Sequence, residues 1–197
     1  KEVLAKAKKL EFIVTATSGY DHIDLEYCRQ NQIKVAHTPD ASRDSAAELA
    51  IMLMLSCIRH SRDALTSIKA NNWRQEVPRG HTLSEKALGI IGLGRVGSRV
   101  AELAQGFKMK VTAFDPYQPD EQFQTYHVER SGYTNLLKQS DIVSYHVPLT
   151  AETRHMLNDR ALASISKDTI VINTCRGGVV DEQALHQALV SRKIAAA

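Results

Sequence analysis

The stretch Gly92-Leu93-Gly94-Arg95-Val96-Gly97 constrains this chain more than any other because of what flanks it. The apolar run Ala87-Leu88-Gly89-Ile90-Ile91 before it reads as a buried strand, and Ser98 to Ala104 after it reads as a helix. A second apolar strand, Lys110 to Phe114, follows and is closed by Asp115. Strand, spaced glycines, helix, strand and terminal acid in that order form a dinucleotide-binding fingerprint. Gly92 permits the tight turn, Gly94 leaves room for a pyrophosphate, and Gly97 lets the helix pack closely on the sheet. The N–H groups opening the helix, those of Arg95 and Val96 among them, face the phosphates together with the positive end of the helix dipole. Asp115 is placed to accept from adenosine ribose hydroxyls. A carboxylate there repels a 2′-phosphate, and Pro116, Tyr117 and Gln118 bring no cation, so NAD is favoured over NADP. A ligand-free βα turn also uses glycine, so the weight rests on the whole order and not on the triplet.

The chain has 197 residues, enough for one large domain or for one domain and part of another, and its 43% hydrophobic and 24% charged residues are ordinary for a globular protein. No apolar run approaches a membrane span, and no signal-peptide core opens the chain, so no membrane partner is expected. The net charge of +3 is mild and scattered. Lys6, Lys8 and Lys9 read as the wet face of a helix, and no nucleic-acid partner is expected. Cys28, Cys57 and Cys175 are odd in number and lack metal-ligand spacing, which points away from disulfides and metal and toward a cytoplasmic setting. Cys175 as a nucleophile would need a positioned base.

Strands and helices alternate throughout. Phe12 to Ala16 and Lys34 to His37 read as strands, with a short helix capped by Asp24 between them. Ser42 or Asp44 opens a long helix through Leu55 that is apolar on most of its surface, so it is expected to be covered between layers or subunits. Ser61 to Leu83, with Trp73, Pro78 and Gly80, reads as a connector. Beyond it the strands Ala87–Ile91, Lys110–Phe114, Asp141–Tyr145 and Thr169–Asn173 alternate with helices, the last starting near Asp181. The expected fold class is α/β, a doubly wound parallel sheet of the Rossmann type. Ligands of such sheets bind beyond the strand C-termini, where Gly92, Asp115, His146 and Thr174 stand.

Several segments in order resemble the D-isomer-specific 2-hydroxyacid dehydrogenases. They are Ser18 to Leu25, Thr38-Pro39 with Ala46 to Ala50, Leu88 to Gly97, Ser140 to Val143, His146 to Thr150, and Asn173-Thr174-Cys175-Arg176-Gly177-Gly178-Val179-Val180-Asp181-Glu182. The resemblance implies an NAD-dependent oxidoreductase that moves hydride between nicotinamide and a small D-2-hydroxy or 2-keto acid. It makes Arg176 the catalytic arginine, a fixed fork able to hold the substrate carboxylate and polarise the carbonyl. It makes the backbone N–H groups of Ser18 and Gly19 substrate contacts, where a plain β-turn is the other reading. It places His146, Val147, Pro148, Thr153, Thr174, Cys175 and Arg176 along the cofactor. For His146 a purely structural role stays open, and the other histidines show no paired acid at a recognisable spacing.

The resemblance also implies an organisation. Residues 1–42 are expected to be part of a flavodoxin-like substrate domain, 43–82 an interdomain helix and connector, and 83–197 the NAD-binding domain. The family moves the proton with a histidine oriented by a glutamate, both downstream of the arginine loop, and these are expected past Ala197. The chain is thus expected to be an internal fragment of a homodimeric enzyme. An NAD-sensing, corepressor-like interaction protein on the same fold is the alternative.

Overall fold

The computed structural model describes residues 2–72 and 77–197, so Trp73 lies outside the described residues. In chain order the elements are α1 (Glu2–Lys6), β1 (Phe12–Thr15), α2 (Leu25–Gln30), β2 (Lys34–His37), α3 (Arg43–Ile58) and α4 (Ser61–Lys69). Then come β3 (Ala87–Ile91), α5 (Arg95–Gly106), β4 (Lys110–Phe114), α6 (Asp120–Thr125), β5 (Glu129–Arg130) and α7 (Tyr133–Gln139). The chain finishes with β6 (Ile142–Tyr145), α8 (Asp159–Ser164), β7 (Ile170–Asn173), a 3₁₀ turn (Gly177–Val179) and α9 (Glu182–Val190). Two compact units divide it, Lys1–Ser45 and Ala46–Ala197.

In the first unit β1 and β2 pair in parallel, Phe12 beside Lys34 and Thr15 beside His37. Asp24 caps α2 by accepting from the Tyr27 N–H at 2.9 Å, and Cys28 on that helix is buried. Phe12 and Val14 are more than half exposed.

The second unit is a five-stranded, all-parallel sheet in the order β5-β4-β3-β6-β7. In β3, β6 and β7 successive apolar residues alternate between two covered faces, as a doubly covered sheet requires. Leu88, Ile90, Ile142, Ile170 and Ile172 face the side packed with α3 and α5 through Ala50, Met54, Val100 and Ala104. Ile91, Val143, Tyr145 and Val171 face α7, α8 and α9 through Leu136, Leu162 and Ala184. Residues 193–197 begin a further pairing on the outer edge of β7: the Ala195 N–H donates to Thr169 O and the Val171 N–H to Ala196 O.

The helix α3 buries Ala47, Ala50, Ile51, Met54 and Ile58, whereas Leu49 and Met52 are about half exposed. Two expectations need correction. Ser61–Lys69, read as connector, is the helix α4; it buries no residue, and Leu65 and Ile68 stand exposed on it. The histidines are not all without acids: His60 Nδ1 lies 3.7 Å from Asp63 Oδ2, and His155 Nδ1 lies 3.9 Å from Asp181 Oδ2. The second pair joins residues far apart in sequence, which a spacing rule does not reach.

Candidate active site

Neighbouring strands leave β3 in opposite directions along the sheet, to β4 on one side and β6 on the other. This is the switch point at which open α/β sheets bind ligands. A cleft of about 680 Å³ lies there. Gly92 and Gly94 form part of its lining, with Phe114 to Gln118 after β4 and, after β6, His146 to Pro148, Thr150 to Thr153 and Met156. Its size falls within the range of small-molecule and cofactor sites.

The glycine turn behaves as its spacing suggests. Gly92 has φ +94°, a conformation that favours glycine, and a Cβ there would meet His146 O at 2.8 Å. A Cβ on Gly97 would lie 2.0 Å from Gly92 O, so helix and strand approach too closely for any side chain. Gly94 differs: a Cβ there would touch nothing within 4 Å. The open space lies at the helix N-cap, where the first intrahelical bond runs from the Ser98 N–H to Gly94 O at 2.9 Å. The first-turn N–H groups before that bond have no acceptor inside the helix, which makes the position an anion cradle.

Asp115 is held by backbone. Its Oδ2 accepts from the Leu93 N–H and its Oδ1 from the Tyr117 N–H, both at 2.9 Å. The carboxylate is thereby fixed against the glycine turn, and each oxygen keeps a second lone pair for a ligand hydroxyl. The turn is braced from below by the Ser98 hydroxyl and the Gln122 amide, which both donate to Leu93 O.

The opposite wall is organised by Thr153. Its hydroxyl donates to Pro148 O at 2.5 Å and accepts from the Thr150 N–H at 2.8 Å. His146 sits between this wall and the sheet, with Nε2 2.8 Å from the Ser144 hydroxyl. Burial lowers its pKa to about 4, so the imidazole is neutral at physiological pH.

Beyond β7 the arginine loop is clamped by Asn173, a residue that sequence reasoning missed. The Asn173 side chain donates to Arg176 O at 3.0 Å and accepts from the Cys175 N–H at 3.1 Å. The Cys175 thiol also turns to Asn173 Oδ1, at 3.0 Å, and burial pushes its pKa up, which leaves it a protonated, poor nucleophile. One guanidinium N–H of Arg176 donates to Cys175 O at 2.8 Å. Val147 on the cleft wall and Cys175 in the arginine loop pack against the same apolar cluster. The side-chain oxygen of Thr174 is buried with no hydrogen-bond partner.

Of the expected cofactor contacts, Gly92, Gly94, Asp115, His146, Val147, Pro148 and Thr153 line the cleft. Arg95, Val96 and Gly97 form the first turn of α5, while Thr174, Cys175 and Arg176 leave β7. Ser18 and Gly19 belong to the first unit. There His37 Nδ1 stands 3.1 Å from Ser18 O. A carbonyl only accepts, so Nδ1 carries the proton, and the trans peptide turns the Gly19 N–H away from His37.

Residues 51–197 match the family model of the D-isomer specific 2-hydroxyacid dehydrogenase, NAD binding domain. The chain belongs to the D-isomer-specific 2-hydroxyacid dehydrogenase family. It is similar to the hydroxypyruvate reductase of Thermotoga maritima, 41% identical over 196 residues, which cover all of this chain and 63% of that protein. It is equally similar, at 41% over 198 residues, to the D-3-phosphoglycerate dehydrogenase of Methanocaldococcus jannaschii, of which it covers 38%. Among solved structures it superposes on the D-lactate dehydrogenase of Aquifex aeolicus complexed with NAD and lactic acid, with a TM-score of 0.90 and 36% identity. That match covers 99% of this chain and 59% of the other. The chain thus spans less than two thirds of these relatives. The cofactor of the family domain is NAD, and the residues here fit it: an open Gly94 cradle at a helix N-terminus, a fixed carboxylate at the end of β4, and an orphaned Thr174 hydroxyl at the end of β7.

Proposed function

We propose that the protein is an NAD-dependent oxidoreductase that interconverts a small D-2-hydroxy acid and its 2-keto acid. The observation that carries this reading is the Gly94 cradle and the Asp115 carboxylate at the switch point, with a clamped arginine loop against the same cleft. When bound, the nicotinamide takes or gives the hydride. The chain's own residues do the rest. The first turn of α5 neutralises the pyrophosphate, Asp115 accepts from the adenosine ribose, and Val147, Pro148, Thr153, Thr174 and Cys175 wall the cofactor. Neutral His146 packs the nicotinamide side without moving a proton. Arg176 holds the substrate carboxylate and stabilises charge growing on the carbonyl oxygen, and Asn173 fixes its backbone. Ser18 and Gly19, in the first unit, stay as proposed substrate contacts through their N–H groups.

His155 with Asp181 is no proton-transfer pair for this cleft, because the two line a separate depression of about 430 Å³. His186 lies within α9. The domain reading stays as 1–42 substrate domain, 43–82 interdomain helix and connector, and 83–197 NAD domain.

A homodimer and a cytoplasmic setting complete the proposal. The half-exposed Leu49 and Met52 on α3 support the first, and three free cysteines support the second. The dehydrogenase reading is favoured over a corepressor-like one because the relatives named above are enzymes. The deciding experiment is turnover by the full-length protein of glyoxylate, pyruvate, hydroxypyruvate and phosphohydroxypyruvate with NADH. Oxidation of NADH with one of them is expected, and none with any would refute the reading.

A further inference from the structure

We infer that Glu152 is a second carboxylate selecting against a 2′-phosphorylated dinucleotide, held at the cleft rim by the hydroxyl of Tyr117. The inference rests on the NAD reading of the cleft. Tyr117 and Glu152 stand on opposite walls, one after β4 and the other after β6, and both line the cleft. The Tyr117 hydroxyl donates to Glu152 Oε2, which ties the two walls together. The same residue's N–H donates to Asp115 Oδ1. Tyr117 therefore contacts both carboxylates, Asp115 on its own wall and Glu152 on the facing one.

The bonding state suits this role. The hydrogen bond to Glu152, and then that residue's charge, raise the Tyr117 pKa, so the phenol stays protonated and keeps donating. The Glu152 loop is held by the Thr150–Thr153 hydroxyl pair on either side of it.

Among the described residues of the lining there is no lysine or arginine to offset the two negative charges. Arg130 reaches Gln118 O from outside, but it is ion-paired with Asp120 at 3.2 Å and stacked on Phe123 at 4.3 Å. A phosphate on the ribose would enter between two carboxylates with no free cation on the lining, whereas ribose hydroxyls can donate to either.

The test is calorimetric titration of the 197-residue chain with NADH and NADPH, for wild type, Glu152→Gln and Tyr117→Phe. Glu152→Gln keeps an acceptor for the phenol and removes only the charge. Glu152 is solvent-exposed, so the ratio of NADPH to NADH dissociation constants is expected to fall about three- to tenfold at low salt, and less at high salt. Tyr117→Phe, which releases the carboxylate from the rim, is expected to lower the ratio in the same direction. An unchanged ratio in Glu152→Gln with normal NADH binding would overturn the inference and leave the NAD reading standing. A lowered ratio in Glu152→Gln but not in Tyr117→Phe would overturn the part given to the tyrosine. Failure of the wild-type chain to bind NADH would overturn the NAD reading of the cleft and this inference with it.

Discussion

Replacing Gly94 with alanine separates what the glycine turn does for a ligand from what it does for the fold. Gly94 has φ −80° and ψ −159°, backbone that alanine adopts without strain. Its added methyl meets no atom within 4 Å. The helix loses a little at its N-cap, where alanine is poorer than glycine, and gains about 0.4–1 kcal/mol from a stiffer unfolded chain. These terms offset, so stability is expected to change by less than about 1 kcal/mol, or about 2–4 °C in Tm. The methyl nevertheless fills the cradle assigned to the pyrophosphate. Losing a hydrogen bond to a charged group costs about 1.5–3 kcal/mol, which is roughly a ten- to hundredfold loss of NADH affinity. Gly97→Ala is the matched contrast. Its methyl would lie 2.0 Å from Gly92 O, a backbone atom that cannot rotate away. The helix must move, at about 1–3 kcal/mol or more, and both Tm and affinity should fall. Thermal melts and NADH titrations of the two variants decide the matter. Wild-type affinity in Gly94→Ala would refute the cradle, and an unchanged Tm in Gly97→Ala would refute the packing argument.

Other outcomes follow from the same geometry. Asp115→Ala removes the acceptor for the Leu93 and Tyr117 N–H groups and should weaken NADH binding, reduce discrimination against NADPH and lower Tm; unchanged dissociation constants would contradict its role. In the full-length enzyme, Arg176→Ala should cut kcat/KM by about 10²–10³, since it removes a fixed electrostatic donor, and a near-normal value in steady-state kinetics would exclude it. His146 has a folded pKa of about 4, below its unfolded value of about 6.5, so the unfolded state binds its proton first. Its contribution to stability is therefore full above about pH 6.5 and is lost as pH falls toward 4. Urea unfolding of wild type and His146→Asn at pH 5 and pH 7 should show a smaller pH dependence in the variant.

The parts of the fold legible in the sequence are those with a short-range cause. The strands Ala87–Ile91 and Lys110–Phe114 stand where their apolar runs are, because a doubly covered strand must be apolar on both faces. The Gly92–Gly97 turn was legible because its constraints are backbone conformation and close approach within a few residues. Helix α4 was not, since its few apolar residues, Ala64, Leu65 and Ile68, lie in a short and mostly polar stretch and none of them is buried. The two-residue strand β5 at the sheet edge is too short to carry a pattern. Local chemistry also hid the Asn173 clamp, because an asparagine at a strand end has many uses until its partners are known. The Tyr117–Glu152 contact and the His155–Asp181 pair join distant loops, and only the folded chain brings them together.

A crystal structure of this chain with NAD tests the central claim most directly. The account predicts the pyrophosphate over Gly94 against the first turn of α5, with the adenosine ribose hydroxyls at about 2.5–3.0 Å from the Asp115 carboxylate. Dinucleotide bound elsewhere, or lying in the cleft with its ribose turned away from Asp115, would contradict it.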